Sequence, residues 1–368
     1  MKKAIISLAL AAVTLTACGS INEIQTESAP VFYGLGIRDC ESGAVYTVQS
    51  GTIGKTTMFF DYATLQTAPL CAVPNCTHMT SDCLAKAAEY PVIYDGNAYF
   101  FTHSEGFEEQ KNAKPEFRMH SVLKKASLDN SELKVMCEFT DAIPKNEETM
   151  VICNDKLYFI SFDPEVETDE YGGASWSSGN GVKFLCSVDL DTGKYTNYGV
   201  FCDAREEFPD TEITSSSFIS GADSGKIYIT YEYSDKALKK EHKFTYKNYE
   251  FDIQTEKYSE SKLPVALCAA DGVYAWLDDD GDKLHIIKDG KDNVIGYDKY
   301  TNAASLLNNK LFVNGGWVDT SDMSLHLYKG EESQGLTGLA FFDGCYIMRS
   351  GSNTFSKLTE DELLALDN

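Results

Sequence analysis

One short pattern returns along the chain and constrains its fold more than any other feature: a two-residue turn followed by a β-branched or aromatic run. It reads DGNAYFF from Asp95, NDKLYFI from Asn154, SGKIYIT from Ser224, DGVYAWL from Asp271, NNKLFVN from Asn308 and DGCYIMR from Asp343. A degenerate first copy, ESGAVYTV, starts at Glu41. Apolar residues stand just upstream of most copies, so that PVIYDGNAYFF is a complete hairpin in sequence: strand, Asp-Gly turn, strand.

A second hairpin follows most copies. HSVLKKASLD, KFLCSVDLDTGKYTNYG, FTYKNYEFDIQTEKYSE and KLHIIKDGKDNVIG read as a third strand, a polar turn and a fourth. The interval between copies falls from about 59–70 residues early in the chain to about 35 late, which brackets the blade length of a β-propeller. No long stretch has the 3.6-residue period of an amphipathic helix, which argues against α/β. The expectation is an all-β β-propeller of four-stranded blades. Seven copies give seven blades, with six as the alternative because the first and last copies are weakest; an antiparallel sandwich is the competing architecture. The C-terminal TEDELLALDN reads as a short helix or a closing strand.

The N-terminus has a separate logic. Lys2 and Lys3 precede an apolar run, Ala4 to Leu15, too short to span a bilayer as a mature helix. It ends in Leu15-Thr16-Ala17-Cys18, which resembles the lipobox of bacterial lipoproteins. That resemblance implies a signal peptide over 1–18, lipid on Cys18, attachment to the outer face of the cell membrane through the bilayer, and an acidic tether over 19–30. The remainder, 31–368, reads as one propeller domain. The chain carries 56 Asp+Glu against 32 Lys+Arg, a formal charge of -24. A surface of that sign repels nucleic acid and anionic lipid, so the lipid has to supply the attachment.

Between the first two blades lies a dense cluster, LCAVPNCTHMTSDCLA, inside the loop 70–85. Cys71, Cys76, His78 and Cys83 offer three thiolates and an imidazole, an admissible tetrahedral shell for a structural zinc ion. The spacing differs from the common C-x2-C pairs, and a disulfide among the three cysteines is the alternative, because export exposes a chain to oxidation. No other cofactor is indicated. Cys137, Cys153, Cys186, Cys202, Cys268 and Cys345 sit in apolar strand-like stretches, where cysteine behaves as a small hydrophobe. The PLC…CTH…CLA element, with the lipobox and the repeats, resembles a group of uncharacterised propeller-like lipoproteins of anaerobic Gram-positive bacteria. The resemblance implies a cell-envelope lipoprotein and supplies no substrate.

Other signals reduce to turns. GTIGKTT lacks the first glycine of a phosphate loop, since Gln49 stands there, and joins two β-like runs. LDDDGDK places Asp278, Asp280 and Asp282 at alternate positions but lacks the downstream Glu of a calcium loop. Trp176, in an acidic, glycine-rich insertion, is the candidate ligand-stacking residue. The repeated Tyr99, Tyr158, Tyr228 and Tyr274 are expected between blades. The functional expectation is a non-enzymatic binding or scaffold module for a peptide, carbohydrate or envelope partner. The alternative is a surface glycan hydrolase or lyase with carboxylates at the propeller mouth.

Overall fold

In the computed structural model the described residues are 31–33, 37–50, 54–80, 82–103, 121–129, 132–144, 149–162, 165–168, 174–177, 182–203, 214–223, 225–234, 245–278, 280–297, 301, 304–329, 335–350 and 354–367. The chain starts with β1 (Val31–Tyr33) and then builds seven antiparallel blades. Blade 1 is β2 (Ile37–Cys40), β3 (Gly43–Ser50), β4 (Gly54–Asp61) and β5 (Gln66–Pro69). After the short helix α1 (Leu84–Ala87), blade 2 is β6 (Val92–Tyr94), β7 (Asn97–His103), β8 (Ser121–Ser127) and β9 (Leu133–Phe139). Blade 3 contains β10 (Ile143–Pro144), β11 (Met150–Cys153), β12 (Lys156–Phe162), β15 (Val182–Asp189) and β16 (Tyr195–Asp203); the hairpin of β13 (Glu165–Thr168) and β14 (Ala174–Ser177) is inserted between β12 and β15.

Blade 4 is β17 (Thr214–Asp223), β18 (Lys226–Ser234), β19 (Thr245–Asp252) and β20 (Lys257–Glu260). Blade 5 is β21 (Cys268–Ala270), β22 (Val273–Leu277), β23 (Lys283–Lys288) and β24 (Lys291–Gly296). Blade 6 is β25 (Ser305–Leu307), β26 (Lys310–Val313), β27 (Gly316–Asp319) and β28 (Ser324–Leu327). Blade 7 keeps three strands, β29 (Leu336–Phe342), β30 (Cys345–Ser350) and β31 (Thr354–Leu358), followed by helix α2 (Glu360–Leu364).

Every copy of the repeat occupies the turn between the first and second strands of a blade. Outside the degenerate Glu41-Ser42 copy, those turns run left-handed, with φ of 45° and 68° at Asp95 and Gly96, 50° and 56° at Asn154 and Asp155, and 49° and 70° at Asp343 and Gly344. Asp, Asn and Gly are the residues that tolerate that region, and the two-residue left-handed turn matches the twist of the flanking strands. Ser50 pairs with Gly54 where β3 and β4 meet, and Asp278 accepts from the backbone N–H of Asp282 and Lys283, so both rejected motifs lie at the ends of hairpins.

The core is divided by seam. Seven buried clusters each straddle one junction between neighbouring blades: Val92, Tyr99 and Phe101 meet Ile152, Leu157 and Phe159 between blades 2 and 3, and Tyr158 and Ile160 meet Ile227, Ile229 and Phe251 between blades 3 and 4. Tyr228 and Tyr274 pack edge to face at 5.0 Å across blades 4 and 5. Cys153, Cys186, Cys202 and Cys268 are buried strand residues, as their apolar flanks required.

Two departures from seven equal blades matter for the site. First, β1 does not complete blade 7. It pairs antiparallel with β11, Val31 opposite Ile152 and Tyr33 opposite Met150, so it adds a strand to the axial edge of blade 3. Second, blade 7 has three strands and is followed by α2, which is capped by reciprocal Thr359 and Glu362 hydrogen bonds and buries Leu363 in the seam of blades 6 and 7. Among the described residues no strand pairing joins blade 7 to blade 1; the ring closes there by side-chain packing.

Candidate functional site

The turns of blades 1, 2 and 7 converge on a cavity of about 340 Å³, a size suited to a small ligand or a few sugar units. Asp39, Cys40, Glu41 and Ser42 line it from blade 1, Tyr94, Asp95 and Gly96 from blade 2, and Ala340, Phe341 and Phe342 from blade 7. The placement follows from the repeat: Asp39 is near the end of the first strand of blade 1, and the Asp95-Gly96 turn ends the first strand of blade 2. The mouth is therefore acidic on one side and aromatic on the other.

Asp39 is the chemically distinctive group. Burial pushes its carboxyl up to about 6, against the opposing pull of hydrogen bonds from the Tyr62 hydroxyl and the Cys40 backbone N–H. Tyr62, itself buried, donates to Asp39 Oδ1 at 2.5 Å. Burial and the neighbouring carboxyl hold the Tyr62 phenol well above its usual range, so it remains a donor. Burial also pushes the Cys40 thiol up to about 12, and its Sγ donates to the Gly43 carbonyl, which makes it an inert wall. A carboxyl that changes state near neutrality, held by a tyrosine in a cavity with two further carboxylates, is acid–base equipment. Neither Asp39 nor Tyr62 stood out in the sequence. They are 23 positions apart and match no motif; the only local signal was that Asp39 precedes the degenerate first turn.

Two other carboxylates of these turns brace neighbouring blades. Asp155 Oδ1 accepts from the Tyr94 hydroxyl at 2.7 Å, and Asp223 Oδ1 accepts from the Gly272 N–H at 3.1 Å.

The Cys/His cluster lies in the connection from the last strand of blade 1 to the first strand of blade 2, at the opposite end of those strands. The structure brings all four sequence candidates together. The ligand atoms of Cys71, Cys76, His78 and Cys83 lie within 4.8 Å of one another, an arrangement consistent with a structural metal site such as zinc. His78 Nδ1 sits 3.3 Å from Cys83 Sγ, and the His78 backbone N–H donates to Cys76 Sγ at 3.4 Å. That N–H holds the Cys76 thiol below its usual range, whereas burial raises Cys83. No disulfide joins any of the ten described cysteines.

Trp176 belongs to the hairpin inserted in blade 3. It lies on β14, opposite Val166, and that hairpin springs from the end of β12 and β15 where Phe162 pairs with Lys183, away from the Lys156–Asp189 end beside the turn. Its side chain, like the whole of the Cys18 region, lies outside the described residues.

No family model and no curated protein matches the chain. Among solved structures it is similar to an uncharacterized protein of Listeria monocytogenes (8% identity, TM-score 0.35, covering 72% of this chain and 63% of that one). It is also similar to a polysaccharide lyase, an ulvan lyase (11%, TM-score 0.41, 91% and 94%), and to a puromycin hydrolase (10%, TM-score 0.45, 90% and 52%). The chain thus spans less than two thirds of the Listeria protein and about half of the puromycin hydrolase.

These observations correct the expectation of a non-enzymatic binding or scaffold module, and with it the expectation that the chain is no enzyme. What points away from a passive scaffold is a cavity that gathers a raised carboxyl, the tyrosine that holds it and two further carboxylates.

Proposed function

We propose that the chain is a glycan-cleaving enzyme of the cell surface whose reaction centre is the mouth cavity of blades 1, 2 and 7. The observation that carries this reading is the raised Asp39 carboxyl bonded to Tyr62. Glycoside hydrolysis needs one carboxyl protonated and a second ionised on the other side of the bond. Asp39 is the acid: it gives its proton to the glycosidic oxygen as the C–O bond breaks. Glu41 and Asp95 line the same cavity and supply the second carboxylate, which takes a proton from the water whose oxygen joins the anomeric carbon. Phe341 and Phe342 offer apolar area against which a sugar ring rests.

Charge selects among glycans. The residues lining the cavity include no Lys, Arg or His, and the chain is strongly acidic. A polyuronate would meet repulsion with no cation to neutralise its carboxylate, so hydrolysis of a neutral or amino-sugar glycan fits better than uronate elimination. The lipobox ending in Cys18 supports attachment to the outer face of the membrane. Metabolic labelling with a fatty-acid analogue, lost in Cys18→Ala, tests that part separately.

The experiment is release of reducing ends from a panel of neutral, amino-sugar and uronate oligosaccharides. Cleavage of a neutral or amino-sugar substrate that falls by about a hundredfold or more in Asp39→Asn supports the reading. Cleavage of uronates alone, or turnover indifferent to Asp39, sinks it.

A further inference from the structure

The connection from Leu70 to Pro91 is more than twenty residues long, yet its only regular element is the four-residue α1. Excursions of that length inside a compact domain need something to hold them. At its two ends this one is well tied. The Leu70 N–H donates to the Thr57 carbonyl at 2.9 Å and the Thr57 hydroxyl to the Ala88 carbonyl. The Tyr90 N–H donates to the Thr47 hydroxyl at 3.1 Å, and the Arg38 guanidinium to the Tyr90 carbonyl. Between those ties, residues 72–82 contribute only Cys76 to the apolar cluster beneath, where it packs with Cys71 and Cys83 against Leu70, Leu84 and Ile93. Val73 and Met79 are exposed. Apolar burial therefore does not explain why the middle of the excursion takes a defined path.

The four ligands do. We propose that Cys71, Cys76, His78 and Cys83 bind a single zinc ion that clamps the connection between blades 1 and 2. Three thiolates and one imidazole form a soft, borderline donor set that favours Zn²⁺ over the oxygen-seeking Mg²⁺ and Ca²⁺. Zn–S bonds of about 2.3 Å put tetrahedral sulfurs roughly 3.7 Å apart. The observed spread, all within 4.8 Å, closes to that with side-chain adjustment of less than a bond length. The backbone is bent for the purpose. Asn75 and His78 stand at φ of 60° and 57°, left-handed positions flanking Cys76, and the turn at His78 also aims its N–H at the Cys76 sulfur. Left-handed backbone at a residue such as His78 costs free energy that a ligand bond offsets. Cys83 adds a second tie: its carbonyl accepts from the Lys86 and Ala87 N–H groups of α1, so the ion joins the loop to the helix that packs between the blades.

Four protein ligands leave no open position, so the ion is a brace and takes no part in turnover. It binds on the other face of the disc from the Asp39 cavity, and the inference stands whether or not that cavity is catalytic.

The test uses the full chain, purified anaerobically from zinc-replete medium without chelator. About one zinc per chain is expected by elemental analysis, with a cobalt-substituted form showing the intense visible bands of a tetrahedral thiolate site. Cys76→Ser and His78→Ala should lose the metal, His78→Cys should retain it, and Cys345→Ser, remote on β30, should retain it. If the first two variants fail to fold, the wild-type chain still decides: a chelator should release zinc while exposing three additional reactive thiols and speeding proteolysis within 70–91 by about tenfold or more. A folded chain with negligible zinc, a disulfide mapped among Cys71, Cys76 and Cys83, or zinc retained in both ligand variants would overturn the proposal.

Discussion

Phe60 of blade 1 stacks on Phe355 of blade 7 at 3.9 Å, with their rings 19° from parallel. Tyr46 also approaches Phe355 at 6.2 Å, and Tyr62 approaches Phe342 at 5.8 Å. These aromatic contacts join the two ends of the ring, where strand pairing contributes nothing among the described residues. Phe60→Leu and Phe355→Leu should each destabilise the chain, and a double-mutant cycle should show about 1 kcal/mol of coupling. Denaturant unfolding measures it; strict additivity would mean that the stack contributes nothing beyond burial.

Asp39 should make stability depend on pH in a definite direction. Its carboxyl is raised from 3.8 to about 6 in the folded chain, so folding tightens proton binding. The stabilisation this brings is complete below about pH 4 and is lost as pH rises through about 6. Asp39→Asn, which keeps an oxygen for Tyr62, should therefore match or trail the parent at pH 4 and exceed it at pH 8 by up to about 3 kcal/mol. Thermal unfolding at both pH values checks this, and an Asn variant less stable at pH 8 would contradict a desolvated carboxylate.

Tyr62→Phe removes one of the groups that pull Asp39 downward. The Asp39 carboxyl should then titrate above 6, and the alkaline limb of activity should move to higher pH in parallel. Carboxyl NMR shifts followed against pH read this without a substrate. An unmoved or lowered midpoint would show that the hydroxyl does not stabilise the charge.

Lys310, on β26, is almost fully buried and contacts Asp319 at 3.2 Å and Glu360 of α2 at 2.9 Å. Lys310→Met leaves both carboxylates without that cation and should cost about 2–4 kcal/mol, with hydrogen exchange in α2 accelerating first. If α2 stays as protected as in the parent, the pair is not what docks it.

The blades were legible in the sequence because their turns have a strict chemical requirement: left-handed backbone at Asp95-Gly96 or Asn154-Asp155 selects a few residue types and marks each hairpin. The metal cluster was legible because its four ligands are close in sequence. Ring closure was not, since seven copies count the same whether or not the first strand completes the last blade. β1 is three residues of ordinary strand composition, and only its partner, β11, reveals its place. The Asp39–Tyr62 pair joins the first strand of one blade to the residue just past its third strand, and its raised carboxyl comes from burial, which no spacing encodes.

The place of β1 has a consequence for how the disc is held. Val31 pairs with Ile152, near the Asn154-Asp155 turn, and Tyr33 pairs with Met150, at the far end of β11. The polypeptide thus enters along the hub from the side of the Asp39 mouth. A pull applied at Val31 therefore loads the propeller at its axle, beside Ile152, rather than at its rim.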